Sequence, residues 1–263
     1  MQENLVTYSE SSGVATITLN RPQLLNALSL DAVHDLGEKL REAENSRHVL
    51  VVLLKGAGDK AFSAGADIRI FEAFKDAQDA KEFWRRTGPE IHTFIEKMTK
   101  PVIALISGYC LGGGLEIALS CDLVVATEDS KFGFPEINIG LIPGWGGTQR
   151  IARIVGRHRA KQLVMLGETI GADEALRIGL VNWVTRKEEL DSFANVLVTK
   201  LKQKSSKTLA YAKDAANSAY ELTLDQGLLY ETELDTSLMS TEDTREGIRA
   251  FLEKRKPAFK SQI

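Results

Sequence analysis

Apolar and polar positions change their period at about residue 188. Before that point, short apolar runs recur. Residues 13–19, GVATITL, alternate small or polar with apolar side chains and predict a strand. Residues 49–54, VLVVLL, are apolar throughout, the pattern of a strand buried on both faces. Residues 102–106, VIALI, and 123–126, LVVA, repeat it. Helical periods lie between them. Ser29 is placed to cap a helix that buries Leu30, Val33 and Leu40. Phe83, Ile91, Phe94, Ile95 and Met98 predict a second helix, with a kink at Gly88-Pro89. Strands alternating with helices imply an α/β core with largely parallel pairing. After residue 188 there is no further strand-like run. Helical stretches fill 189–203, 206–220, 224–239 and 242–255, and Ser240-Thr241 has the chemistry of a helix start. The reading is an α/β core over 1–188 and a helical appendage over 189–263, suited to packing on the core or on another subunit.

Composition narrows the function. Hydrophobic residues at 43% and charged residues at 26% exclude a disordered chain. The 33 Lys+Arg against 36 Asp+Glu give a net charge of -3, so no basic excess is available to neutralise phosphates, and nucleic acid is not expected as a partner. No apolar run approaches the roughly 20 residues that cross a bilayer, so no membrane partner is expected. The opening MQENLVTYSE lacks the character of a signal or transit peptide. Two cysteines, Cys110 and Cys121, cannot build a disulfide framework, and a cytoplasmic location is the expectation.

Four segments carry candidate chemistry. Gly56-Ala-Gly-Asp-Lys-Ala61 fits a dinucleotide fingerprint after a strand, but the next residues, Phe62 to Asp67, are turn-like and do not form an amphipathic helix pattern. A strand-ending turn is the better reading. Phe62-Ser-Ala-Gly-Ala-Asp67 is built of small residues that let something approach the backbone, a ligand or a packing neighbour. In Gly108-Tyr-Cys-Leu-Gly-Gly-Gly-Leu-Glu116, a strand runs through three glycines into helix formers. Free N–H groups at that helix start can hold an oxygen that gains negative charge, and the same glycines can serve close packing. Glu116 in the first turn can complement the helix dipole or do chemistry. The fourth segment runs from Lys131 to Arg150. Its Glu136 lies between Pro135 and Ile137, and burial there would raise its pKa, whereas a surface turn would leave it ordinary. Pro143 to Gly147 reads as an irregular loop before a helix near Thr148. His34, His48, His92 and His158 show no metal-ligand spacing, and Ser63 lacks the first glycine of a nucleophile elbow.

Taken in order, these segments resemble the crotonase (enoyl-CoA hydratase/isomerase) superfamily. The resemblance runs through Leu19-Asn-Arg-Pro22, Leu25-Asn-Ala-Leu28, Ala61 to Ile68, Gly108 to Asp122, Phe134 to Arg150, Ala175 to Val181 and Glu246 to Arg255. It implies a spiral core of ββα units with a C-terminal helical subdomain, an acyl-CoA thioester substrate, and a homo-oligomer, a trimer or a hexamer built as a dimer of trimers. It implies that the amides of Ala66 and Gly113 hold the thioester oxygen. It places Ala64, Asp67 and Ile68 at the bent CoA, Lys60 and Arg69 at its phosphates or in solvent, and Gly144 and Trp145 at the acyl chain. The Trp145 ring is large for its place, and can shorten the acyl pocket or pack outward.

Members with hydratase activity carry two glutamates at the positions of Glu116 and Glu136, so the resemblance implies reversible hydration of a 2-enoyl-CoA. Glu116 is assigned to the water at the β-carbon and Glu136 to the proton at the α-carbon. A double-bond isomerase, or a hydratase for a branched or cyclic acid, is the near alternative. A non-catalytic RNA-binding or scaffold member is a remote one. No metal or redox cofactor is implied, since CoA enters only as part of the substrate.

Overall fold

The computed structural model describes residues 4–260. Residues 1–3 and 261–263, at the outer ends of the two expected units, lie outside the described residues. In chain order the strands are β1 (Val6–Ser11), β2 (Val14–Leu19), β3 (Val51–Gly56), β4 (Ala61–Ser63), β5 (Val102–Ile106), β6 (Tyr109–Leu111), β7 (Leu123–Thr127), β8 (Lys131–Gly133), β9 (Thr169–Gly171) and β10 (Trp183–Thr185). Two sheets form. The larger has the order β1-β2-β3-β5-β7-β10, and the smaller β4-β6-β8-β9. Pairing is parallel except for β1 with β2 and β8 with β9.

Each of three successive passes lays one strand in each sheet: β3 then β4, β5 then β6, β7 then β8. Helical structure comes after each pass, so the chain advances as the expected spiral of ββα turns. The corner between β5 and β6 requires Gly108. Its φ is +69°, and a Cβ there would lie 2.1 Å from the Lys60 carbonyl oxygen.

The unbroken apolar runs of β3, β5 and β7 are explained by their two covered faces. Val52, Leu54, Ala104, Ile106, Val124 and Ala126 face the main core. Their alternates Val51, Leu53, Ile103, Leu105 and Val125 face a second core, closed by Ala194, Leu197 and Val198 of the helix Leu190–Lys202. The first helix after residue 188 is therefore part of the sheet's packing. The helices Ser206–Ser218, Leu224–Met239 and Glu242–Leu252 come next, close to the expected stretches. Among the described residues no helix is long and apolar enough to cross a membrane.

One sequence expectation needs correction and a second gains detail. Ser29 does cap the helix Leu30–Asn45, its Oγ accepting from Ala32 N at 3.2 Å. Leu30, however, is 40% exposed, and the buried stripe is Val33, Leu36 and Leu40. As the first helical residue, Leu30 lies before the stripe turns toward the sheet. The second helix runs unbroken over 77–97 and changes its winding at the expected Gly88-Pro89. The helix Ala77–Gly88 passes into a wider π-helical stretch, Pro89–Thr93, and then into Phe94–Lys97. Pro89 has no N–H to donate to the preceding turn, and the wider turn absorbs that gap. The Gly56–Ala61 segment joins β3 to β4 with no helix between them, as a plain strand-ending turn should.

Candidate active site

Two backbone segments meet because they lack side chains. β4 leads into Ala64–Asp67, and β6 leads through Gly112 into the helix Gly113–Ser120. A Cβ on Gly114 would lie 2.5 Å from the Ser63 carbonyl oxygen, and one on Gly65 would lie 3.0 Å from Gly113 N. Leu28 fixes the orientation of the first segment. Its N–H donates to Gly65 O at 2.8 Å, and its carbonyl accepts from Asp67 N at 2.9 Å. In such a parallel bridge the N–H of Ala66 faces the other way. Gly113 opens its helix, where N–H groups lack intrahelical acceptors. Neither amide donates to another described residue. A Cβ on Gly113 would lie 3.4 Å from Ala66 N, so the two amides border one small volume.

Glu116 lies one turn into this helix and is 1% exposed. Its Oε1 accepts from Trp145 N at 2.8 Å and from Gly147 N at 2.7 Å. Burial pushes its pKa up to about 7, aided by the nearby Glu136 carboxyl and opposed by those two amide hydrogen bonds. Glu136 sits in the 3₁₀ turn Pro135–Ile139. A Cβ on Gly112 would come within 2.8 Å of its Oε1, so the missing side chain leaves room for the carboxyl beside the amide pair. Its Oε2 is buried without a hydrogen-bond partner, and burial pushes its pKa up to about 7 as well. One carboxyl thus has two donors supporting its anion, and the other has an oxygen with none.

Both carboxyls and both amides border a cavity of about 200 Å³. Ala64, Ile68, Gly144 and Trp145 also line it. Trp145 points inward and is 3% exposed. Its Nε1 donates to Thr87 Oγ1 at 2.7 Å, and its ring packs against Phe83, Trp84 and His92. Lys60, Asp67 and Arg69 are not part of the cavity wall. Lys60 is exposed. The Asp67 carboxylate is held by Arg69 at 2.5 Å and by Arg21 at 3.3 Å. The Arg69 guanidinium holds its pKa down to about 2. These pairings tie the Asp67 side chain to Arg21 and Arg69, next to Ala66 in the chain.

Several participants escaped the sequence reading. Phe71, Trp84, Ile139, Leu141 and Ile142 line the cavity, and Thr87 anchors the Trp145 ring. Phe83-Trp84 did leave a signal, an aromatic pair within the charged run Lys81–Arg86. Arg150 binds Glu96 at 2.5 Å and the Trp145 carbonyl at 2.8 Å, bracing the loop whose amides hold Glu116. His92 is wholly buried, and burial lowers its pKa to about 3, so it packs as a neutral ring. Among the described residues no group of three or more His, Cys, Asp or Glu side chains is placed to hold a metal ion.

Fold and cavity together define a spiral α/β protein with two carboxyls facing two unused amides. Comparison with known proteins agrees. The family profile described as enoyl-CoA hydratase/isomerase matches residues 9–262, and the chain belongs to that family. It is similar to the short-chain-enoyl-CoA hydratase of Clostridium acetobutylicum, 41% identical over 256 residues and 97% of each chain. It is 38% identical to the crotonyl-CoA hydratase of Syntrophomonas wolfei over 260 residues, 99% of each. The crystal structure of an enoyl-CoA hydratase from Bacillus anthracis matches with a TM-score of 0.89 at 35% identity, covering 97% of this chain and 99% of that one.

Proposed function

We propose that the protein adds water reversibly across the 2,3 double bond of a 2-enoyl-CoA thioester, giving a 3-hydroxyacyl-CoA. The observation that carries this reading is the pair of raised-pKa carboxyls sharing one cavity with two unused amides. The thioester oxygen accepts from Ala66 N and Gly113 N. Water attacks C3, the π electrons move toward the thioester, and enolate charge gathers on that oxygen. Preorganised donors stabilise such charge, and one donor is typically worth about 10²–10³-fold in rate.

Glu116, whose anion is supported by two amides, takes the proton from water. Glu136, whose Oε2 has no donor to support an anion, delivers a proton to C2. The two carboxyls exchange protonation states in the step, and a proton returns before the next turnover. No other cofactor is required, and CoA is part of the substrate.

The further placement is a homo-oligomer in the cytoplasm. It is supported by Leu224, Leu228, Leu229 and Phe251, apolar side chains left exposed on the last two helices, and by free Cys110 and Cys121. On this reading the segment beyond 189 includes the oligomerisation surface. Loss of the enoyl absorbance with crotonyl-CoA, set against a 3-enoyl-CoA, tests the activity. Hydration of the first and inertness toward the second are expected. Conversion of the 3-enoyl substrate alone would make the protein an isomerase.

A further inference from the structure

We propose that the Trp145 indole, locked by Thr87, is a fixed end wall of the acyl pocket that restricts the enzyme to short-chain acyl groups. This rests on the acyl-CoA reading above and adds a substrate class to it. An acyl carbonyl held by Ala66 N and Gly113 N, with its α- and β-carbons beside the two carboxyls, sends its tail on past Glu116. Trp145 lines that same cavity, its ring packed on Gly113. A Cβ on Gly113 would come within 2.5 Å of the indole Cζ3, and the backbone N–H of Trp145 itself is bonded to Glu116 at 2.8 Å. The ring is therefore packed against Gly113 of the amide pair, and its own backbone holds the Glu116 carboxyl.

The wall is fixed from behind. The indole N–H donates to Thr87 Oγ1 at 2.7 Å, and that hydroxyl donates to Phe83 O at 2.7 Å. Swinging the ring aside would leave a buried N–H without a partner. His92 lies against the indole at 5.5 Å between ring centres, with Phe83 at 5.8 Å and Trp84 at 5.4 Å. A longer chain cannot push the ring back without displacing this cluster, because packed cores shift at a free-energy cost. Thr87 is thus a positioning residue. It touches no reacting atom and acts through Trp145.

Binding of butyryl-, hexanoyl- and octanoyl-CoA, measured by calorimetry, tests the wall without turnover. Each methylene that gains burial tightens binding about fourfold. The wild-type Kd should improve less than threefold from butyryl to octanoyl. Trp145→Ala should improve it more than tenfold over the same series. Thr87→Val should fall between them, and Thr87→Ser should restore the wild-type series. A wild-type Kd that already improves more than tenfold with length would overturn the wall, and this readout needs no variant to fold. A Trp145→Ala protein that binds butyryl-CoA with no gain for octanoyl-CoA would do the same. A wild-type series in Thr87→Val would overturn the lock. If the wild-type protein fails to hydrate crotonyl-CoA, the hydratase reading falls, while the binding series still decides the wall.

Discussion

Glu116 is 1% exposed at the heart of the cavity, whereas Leu224, at the start of the 224–239 helix, is 78% exposed. Each reverses the usual distribution of charged and apolar side chains. Around the cavity, local rules are broken: Glu116 is buried, an oxygen of the half-buried Glu136 lacks a partner, and glycines open a helix. In the 224–252 arm, local rules are kept. Thr223 forms a full capping box and Thr241 caps the next helix, yet no side chain of the 224–239 helix is buried. The cavity's anomalies are what thioester chemistry requires of an interior. The arm's anomaly is what the proposed partner copy would remove. Local inconsistency therefore marks the reaction, and unfinished burial marks the surface offered to the proposed assembly.

The largest predicted effect attacks the first half of that contrast. Glu116→Gln and Glu136→Gln each keep the shape and remove the titration. Each should lower kcat with crotonyl-CoA by about 10²–10⁴-fold, the range for losing a general acid or base, with binding of butyryl-CoA retained. The wild-type pH profile should be a bell near neutrality, because both carboxyls are pushed up to about 7. The rate rises with pH as the base ionises and falls as the acid loses its proton. Their coupling makes the two limbs properties of the pair. Glu136→Gln should remove the alkaline limb from the residual activity. A Glu136→Gln protein with full activity and an unchanged bell would show that the buried carboxyl is not the acid.

A smaller effect is expected at Gly114, which is not part of the cavity wall. A Cβ there meets the Ser63 carbonyl at 2.5 Å and Ser63 Cβ at 2.7 Å, so the two backbones must part. Gly114→Ala should destabilise the fold by about 1–3 kcal/mol, as overpacking does. It should also lower kcat/KM by roughly tenfold or more, because Ala66 N and Gly113 N no longer converge. Denaturant unfolding and crotonyl-CoA kinetics on one preparation check both. Lost stability with unchanged kcat/KM would mean that the amide pair tolerates displacement.

The same contrast explains what could be read from the sequence. The long apolar runs of β3, β5 and β7 announced themselves, since a strand covered on both faces needs no alternation. The arm's helices were legible because caps and period are local. β4, β8 and β9 were not, because three residues hold no period. β1 was missed because only Val6 of its six residues is buried, at a sheet edge. At the site, the glutamates and glycines were legible as an ordered resemblance, and their environments were not. Glu116 is held by amides 29 and 31 residues away, and Trp145 is anchored 58 residues away. Such separations depend on the spiral bringing passes together, which no local period encodes.

The smallest predicted effect probes the arm. Thr241 Oγ1 accepts from Thr244 N at 3.2 Å, and Thr223 Oγ1 accepts from Gln226 N at 3.4 Å. Replacing such a cap by Ala typically costs about 1 kcal/mol of helix stability. In a chain of this size that corresponds to a Tm lower by roughly 2–4 °C. Both Thr241→Ala and Thr223→Ala should fall in this range, with Thr241→Ser near wild type and crotonyl-CoA turnover unaffected. Under the proposed assembly the loss should deepen on dilution, because binding between copies adds to apparent stability by mass action. Thermal unfolding over a hundredfold range of protein concentration measures this directly. A Tm independent of concentration in wild type and both variants would mean that the arm's exposed leucines are not held by another copy.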